Sequence, residues 1–188
     1  MKTIVLVDFD RTLYKKDSLI EFTRFYKGNL SFYMGMIYLS PILILMKLGL
    51  LTNENAKKRY FSYFFKNEDY NYFLEKGKEF AETRISNDLN QQVYNSLLKH
   101  IDNNDFVYIV TASFSEWIAG WSEKKNIKII STKPEIIDNK ITGNFSSKNC
   151  NGIEKVNRIE NEIVLSQYDK IYVYGHGKGD FEMLKLRK

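Results

Sequence analysis

The chain of 188 residues contains a single cysteine, Cys150. It can form no internal disulfide and no cysteine-based zinc site, so a reducing compartment, the cytoplasm, is expected. A secretory leader is not evident either, because Met1-Lys2-Thr3 leads into an apolar run that stops at Asp8, too short for the apolar region of a signal. The sequence has no internal repeat or low-complexity tract. It also has no basic stripe interleaved with aromatics, and nucleic-acid binding is not expected. The charge excess is small, net +5, and it is unevenly placed: residues 14–86 hold twelve Lys/Arg against eight Asp/Glu, the rest sixteen against fifteen. With 44% hydrophobic residues, this length can bury one good core and carry a small second module.

What is present is a set of short, β-branched apolar runs. Ile4 to Val7 stops at Asp8, as a parallel strand buried on both faces would. Phe106 to Val110 stops at Thr111, Ile127 to Ile130 at Ser131, and Ile171 to Tyr174 at Gly175, with helical stretches between them. This alternation predicts an α/β fold with a Rossmann-like parallel sheet. Such sheets bind ligands off the carboxyl ends of their strands, where Asp8, Thr111 and Gly175 would meet. Leu89, Val93, Leu97 and Ile101 predict a helix leading back into the sheet, with Ser86-Asn87 as its cap. Glu135 to Phe145, alternating around Asp138-Asn139, predicts a small hairpin.

Between the first two runs the pattern is helical. Residues 1–13 and 87–188 read as the α/β core, and 14–86 as an all-helical cap holding sixteen of the twenty-eight aromatic residues. Its expected helix starts are Asp17-Ser18, Thr52-Asn53 and Asp69. Leu30 to Leu51 carries one charge, Lys47, and one proline, Pro41, over a length that could span a bilayer. A single span would separate Asp8 from Thr111, Lys155 and Asp180, and Pro41 is expected to interrupt the helix. Two readings remain: a buried helical pair, or a hairpin dipping into the membrane interface.

Asp8-Phe9-Asp10-Arg11-Thr12-Leu13 sets two carboxylates two residues apart just after a buried strand. One can attack phosphorus in line while its neighbour protonates the leaving oxygen and then deprotonates water. A divalent cation would hold the phosphate dianion against them. Taken alone, the segment also reads as a polar loop with a helix cap.

These residues resemble the first motif of the haloacid dehalogenase superfamily, and three further motifs follow in order. Val110-Thr111-Ala112-Ser113 resembles the second, where the strand-end hydroxyl binds phosphate. Lys155, within Cys150-Asn151-Gly152-Ile153-Glu154-Lys155, resembles the third, a lysine that neutralises the phosphorylated aspartate. Tyr174-Gly175-His176-Gly177-Lys178-Gly179-Asp180 resembles the fourth, an acidic metal-binding loop. With a helical insertion between the first and second motifs, the chain is most similar to the phosphoserine phosphatase-like branch, subfamily IB. The resemblance implies a phosphatase with Asp8, Asp10, Thr111 and Lys155 as catalytic residues. It also implies Mg2+, held by Asp8, Asp10 through its backbone carbonyl, and Asp180. Backbone N–H groups of Ala112 and Ser113, at an expected helix start, would add anion donors.

His176 departs from the pattern, because it stands where an aspartate usually binds the metal, and imidazole is a poor magnesium ligand. Thr111, Lys155 and the loop glycines each have an ordinary structural reading when taken singly. His100 reads as a solvated residue near a helix end. Asp17 faces substrate in the resembling phosphatases but equally reads as a helix N-cap. Arg11 would reach a second anionic group or lie in solvent. The apolar, positively charged cap favours a lipid or amphiphilic phosphate such as phosphatidylglycerophosphate, with peripheral membrane contact. The alternatives are a small metabolite such as phosphoserine, or a catalytically weak binding or regulatory module. The last run is followed by few residues after Leu184, leaving little room for a further edge strand.

Overall fold

The computed structural model describes residues 1–188. Its strands β1 (Thr3–Val7), β2 (Phe106–Phe114), β3 (Lys128–Thr132) and β6 (Lys170–Tyr174) form a parallel sheet in the order β3-β2-β1-β6. β1 lies inside it, and its side chains alternate between two cores. Val5 and Val7 join the larger core with Phe22, Phe61 and Phe114, while Ile4 and Leu6 join the smaller one with Val110, Cys150 and Ile159. Burial on both faces explains why the run carries no polar residue before Asp8. β2 runs on past Thr111 to Phe114 through a shift in register. The hairpin β4 (Pro134–Ile137) and β5 (Lys140–Phe145) turns at Asp138 and Asn139, with φ of 48° and 58°, the paired left-handed values of a two-residue hairpin turn.

Three helices lie between β1 and the helix returning to the sheet: α1 (Ser18–Lys47), α2 (Asn53–Phe65) and α3 (Tyr70–Thr83). Their expected caps form. The Asp17, Thr52 and Asp69 side chains accept from the N–H groups of Ile20, Asn55 and Tyr72 at 3.3, 3.2 and 3.0 Å. Phe22 stacks on Trp117 at 4.7 Å and meets Phe73 and Phe80 edge-on, so the aromatic wealth of this region largely packs on itself and on the sheet. The larger apolar core therefore runs without a break from the sheet into the helices.

Several expectations are corrected. α1 breaks at Gly28 (φ 76°, ψ 164°), a conformation that favours glycine, and not at Pro41. The helix continues through Pro41 because the Ile37 carbonyl, which loses its usual N–H donor there, accepts the Ser40 hydroxyl at 2.8 Å. The Leu30 to Leu51 tract is consequently neither a hairpin nor a fully buried pair. Phe32, Gly35 and Leu39 are buried on one side, while Leu30, Ile37 and Leu48 are 76, 74 and 67% exposed. The helix α4 (Gln91–Asp102) begins after Asn90, and Ser86-Asn87 lies in a short 3-10 turn, Ile85–Asp88, instead of capping it. His100 is half-buried, with Nδ1 2.7 Å from Asp105 and Nε2 3.3 Å from the Tyr174 hydroxyl.

Candidate active site

β1 delivers Asp8 to the carboxyl edge of the sheet, where its N–H donates to the Tyr174 carbonyl at 2.9 Å. Arg11 then takes a left-handed φ of 62°, which folds the loop back on itself. The Thr12 hydroxyl thereby reaches Asp8 and donates to Oδ2 at 2.8 Å. On the other side, Lys155 rises from the first turn of α5 (Ile153–Glu162), and its Nζ donates to Asp8 Oδ1 at 2.6 Å, Asp180 Oδ1 at 2.6 Å and the Val110 carbonyl at 2.8 Å. All four motifs thus meet at one ammonium group, on a residue that is 1% exposed. Asp180 approaches closely because Gly175 has no Cβ; one built there would lie 2.7 Å from that of Asp180.

Burial dominates the electrostatics. It pushes the Asp8 carboxyl above its ordinary value, with Asp180 adding repulsion, although Lys155 pulls the other way. Burial also opposes the charge on Lys155, but Asp8 and Asp180 outweigh it and hold the ammonium above its usual range. Asp10 accepts the Ser18 N–H at 2.8 Å through Oδ1. Burial first, and then the neighbouring Asp17 carboxylate, raise Asp10 to about 7. A carboxyl poised there can give and take a proton near neutrality.

The remaining expected site residues divide. Thr111 is fully buried within β2, and its hydroxyl accepts the Ser113 N–H at 3.0 Å. Ser113 is not at a helix start, because β2 extends through it; its N–H is already engaged, and its hydroxyl shares a 2.7 Å hydrogen bond with Ser18. Its expected role as a free anion donor is corrected on that ground. Ala112 also lies within β2, and its carbonyl accepts from Thr132 at 2.7 Å. Asp17 caps α1 and lies 3.7 Å from the exposed guanidinium of Arg11.

No cluster of three His, Cys, Asp or Glu side chains is assembled to hold a metal. The Asp10 carboxylate is turned to Ser18, and Asp180 spends its second oxygen on the His176 N–H at 2.8 Å. The Asp10 carbonyl oxygen, however, accepts no hydrogen bond from the protein. An Asp8 carboxylate and an unclaimed carbonyl form an all-oxygen donor set, which fits a hard ion that keeps most of its waters.

Sequence reasoning missed Lys57. From α2 its ammonium donates to the Ala112 carbonyl and, at 3.0 Å, to Asn149 Oδ1, above the rings of Phe114 and Phe145. Burial lowers it to about 8, against the pull of Asp10 and Asp17. Lys57 is one of three consecutive basic residues, and only its helix phase between buried Ala56 and Tyr60 marks it. Thr12 and Ser18 were likewise unassigned; Ser18 also accepts from Trp117 Nε1 at 3.0 Å.

The model of the family described as haloacid dehalogenase-like hydrolase matches residues 5–185. No curated protein matches the chain. Among solved structures, a protein of unknown function from Bordetella pertussis Tohama I is 21% identical with a TM-score of 0.77, the match covering 92% of this chain and 81% of that one. A phosphoserine phosphohydrolase-like protein from Francisella tularensis subsp. tularensis SCHU S4 is 18% identical with a TM-score of 0.64, covering 98 and 82%. A substrate-bound phosphoserine phosphatase is 17% identical with a TM-score of 0.69, covering 100 and 83%. These likenesses establish the shared fold.

Proposed function

Because the chain belongs to the haloacid dehalogenase-like hydrolase family, we propose that it is a magnesium-dependent phosphomonoesterase working through an aspartyl phosphate on Asp8. The observation that carries this reading is the buried Lys155 ammonium bridging Asp8 and Asp180 beside an Asp10 raised to about 7. An Asp8 oxygen attacks phosphorus and forms the O–P bond as the ester P–O bond breaks, and Asp10 gives its proton to the leaving oxygen. Asp10 then takes a proton from water as that water attacks phosphorus, releasing phosphate and restoring Asp8. Lys155 offsets the charge on Asp8 and on the phosphoryl group throughout, and the Thr111 hydroxyl would bind a phosphoryl oxygen. Magnesium, held by Asp8 and the Asp10 carbonyl with Asp180 in support, would neutralise the phosphate dianion so that a carboxylate can approach it.

For the substrate we favour an amphiphilic phosphate. The packed aromatics of the helical cap do not support this, since they form core; the exposed apolar flank of α1 does. A phosphate-release screen over lipid phosphates, phosphoserine and sugar phosphates, with Asp8→Asn as blank, tests both parts. Release from none of them in the presence of magnesium would overturn the activity. Preference for phosphoserine would overturn the amphiphile.

A further inference from the structure

The largest unexplained feature of the surface is the outer face of α1 beyond Gly28. Leu30, Met34, Ile37, Tyr38, Ile44 and Leu48 follow helical spacing along one side and are all exposed. The opposite side, with Phe32, Gly35 and Leu39, is buried, and Phe32 stacks on Phe64 of α2 at 6.3 Å. A continuous apolar stripe of this length is uncommon on a soluble monomer and marks a contact surface.

Charge identifies its occupant. No acidic residue occurs between Arg24 and Leu51. The acids on α1 and α2, Glu21 and Glu54, are paired with Lys16 and Lys58, whereas Arg24, Lys47, Arg59 and Lys66 have no carboxylate partner. Lys47 ends α1, and Arg59 and Lys66 stand at helical spacing from Tyr63 on α2, which stacks on Tyr38 of the stripe at 5.0 Å, so a second copy docked on the same stripe would bring these three cations against their own counterparts. An anionic surface would satisfy them. The 18-residue window in α1 has a mean hydropathy of 1.5, enough to enter a bilayer, but the packed Phe32 side ties the helix to α2.

We propose that this stripe docks in the plane of a bilayer containing anionic lipids, with the apolar side chains in the interface and the unpaired cations at the headgroups. The assignment stands independently of the phosphatase reading. The test is co-sedimentation of the full chain with vesicles of phosphatidylcholine alone or with phosphatidylglycerol added, together with light scattering of the free protein. Wild type should partition at least about tenfold more strongly to the anionic vesicles at low salt, and the gain should shrink as salt is raised. Ile37→Glu/Ile44→Glu, at exposed positions, should abolish binding while keeping the helical circular dichroism spectrum. Asp8→Asn should bind as wild type does, so failed catalysis and failed docking are distinguishable. Protein left in the supernatant with both vesicle types overturns the proposal, as does equal binding to both. A dimer that Ile37→Glu/Ile44→Glu converts to monomer assigns the stripe to a second copy and overturns it too.

Discussion

Replacing Lys155 by Met separates the energetics of the site from its chemistry. Methionine fills much of the same space, but Asp8 and Asp180, 7 and 3% exposed, lose the ammonium that each contacts at 2.6 Å. Removing one partner from a buried ion cluster costs about 3–5 kcal/mol when the orphaned charges must stay ionised. For a chain of this size that corresponds to a fall in Tm of roughly 6–20 °C. The sign of the pH dependence follows from Asp8, whose folded pKa already lies above its unfolded value. A carboxyl shifted in that direction costs nothing below the unfolded pKa, and its penalty grows as pH rises through the folded one. Without Lys155 the folded pKa of Asp8 moves higher still, so the penalty should be small near pH 4 and widen toward pH 8. Thermal denaturation of both proteins across that range measures the gap. A gap that is constant, or that narrows as pH rises, would refute the idea that Lys155 serves to keep buried carboxylates charged.

Asp10→Asn should lower kcat/KM by about 10²–10⁴-fold and remove the alkaline fall in activity that Asp10, at about 7, sets in the wild type; a pH–rate profile with an aryl phosphate reads both. Asp17→Asn keeps the helix cap but removes the carboxylate that raises Asp10, so the alkaline limb should move to lower pH with little change in Tm. His176→Asp places an anionic oxygen after Gly175, and the magnesium concentration for half-maximal activity should fall; an unchanged or higher requirement would show that the position lies outside the metal shell.

The parts of the fold that were legible are those fixed by short-range chemistry. Buried parallel strands read as unbroken apolar runs, so the placement of Asp8 and Gly175 at one sheet edge followed from where those runs stop. Asp17, Thr52 and Asp69 could be read as caps because a cap bond spans only three residues. What escaped depends on partners that local sequence does not name. Pro41 fails to break α1 because Ser40 supplies the missing donor, and a lone Gly28 among helix formers gives little warning of a kink. The extension of β2 to Phe114 rests on pairing with β3, and the Ser113 N–H that a helix start would have freed is bound to the Thr111 hydroxyl instead. Lys57 could not be separated from Lys58 and Arg59 until the phase of α2 against the sheet was known.

The proposed reaction requires that Asp8 becomes phosphorylated. Acid quench of the enzyme during turnover of a substrate carrying radiolabelled phosphate should leave label on the protein that neutral hydroxylamine removes, as an acyl phosphate requires, and peptide mapping should place it on Asp8. Asp8→Asn should carry none and release no phosphate. Wild-type turnover without any trapped label, or label retained by Asp8→Asn, would rule out an aspartyl phosphate on Asp8.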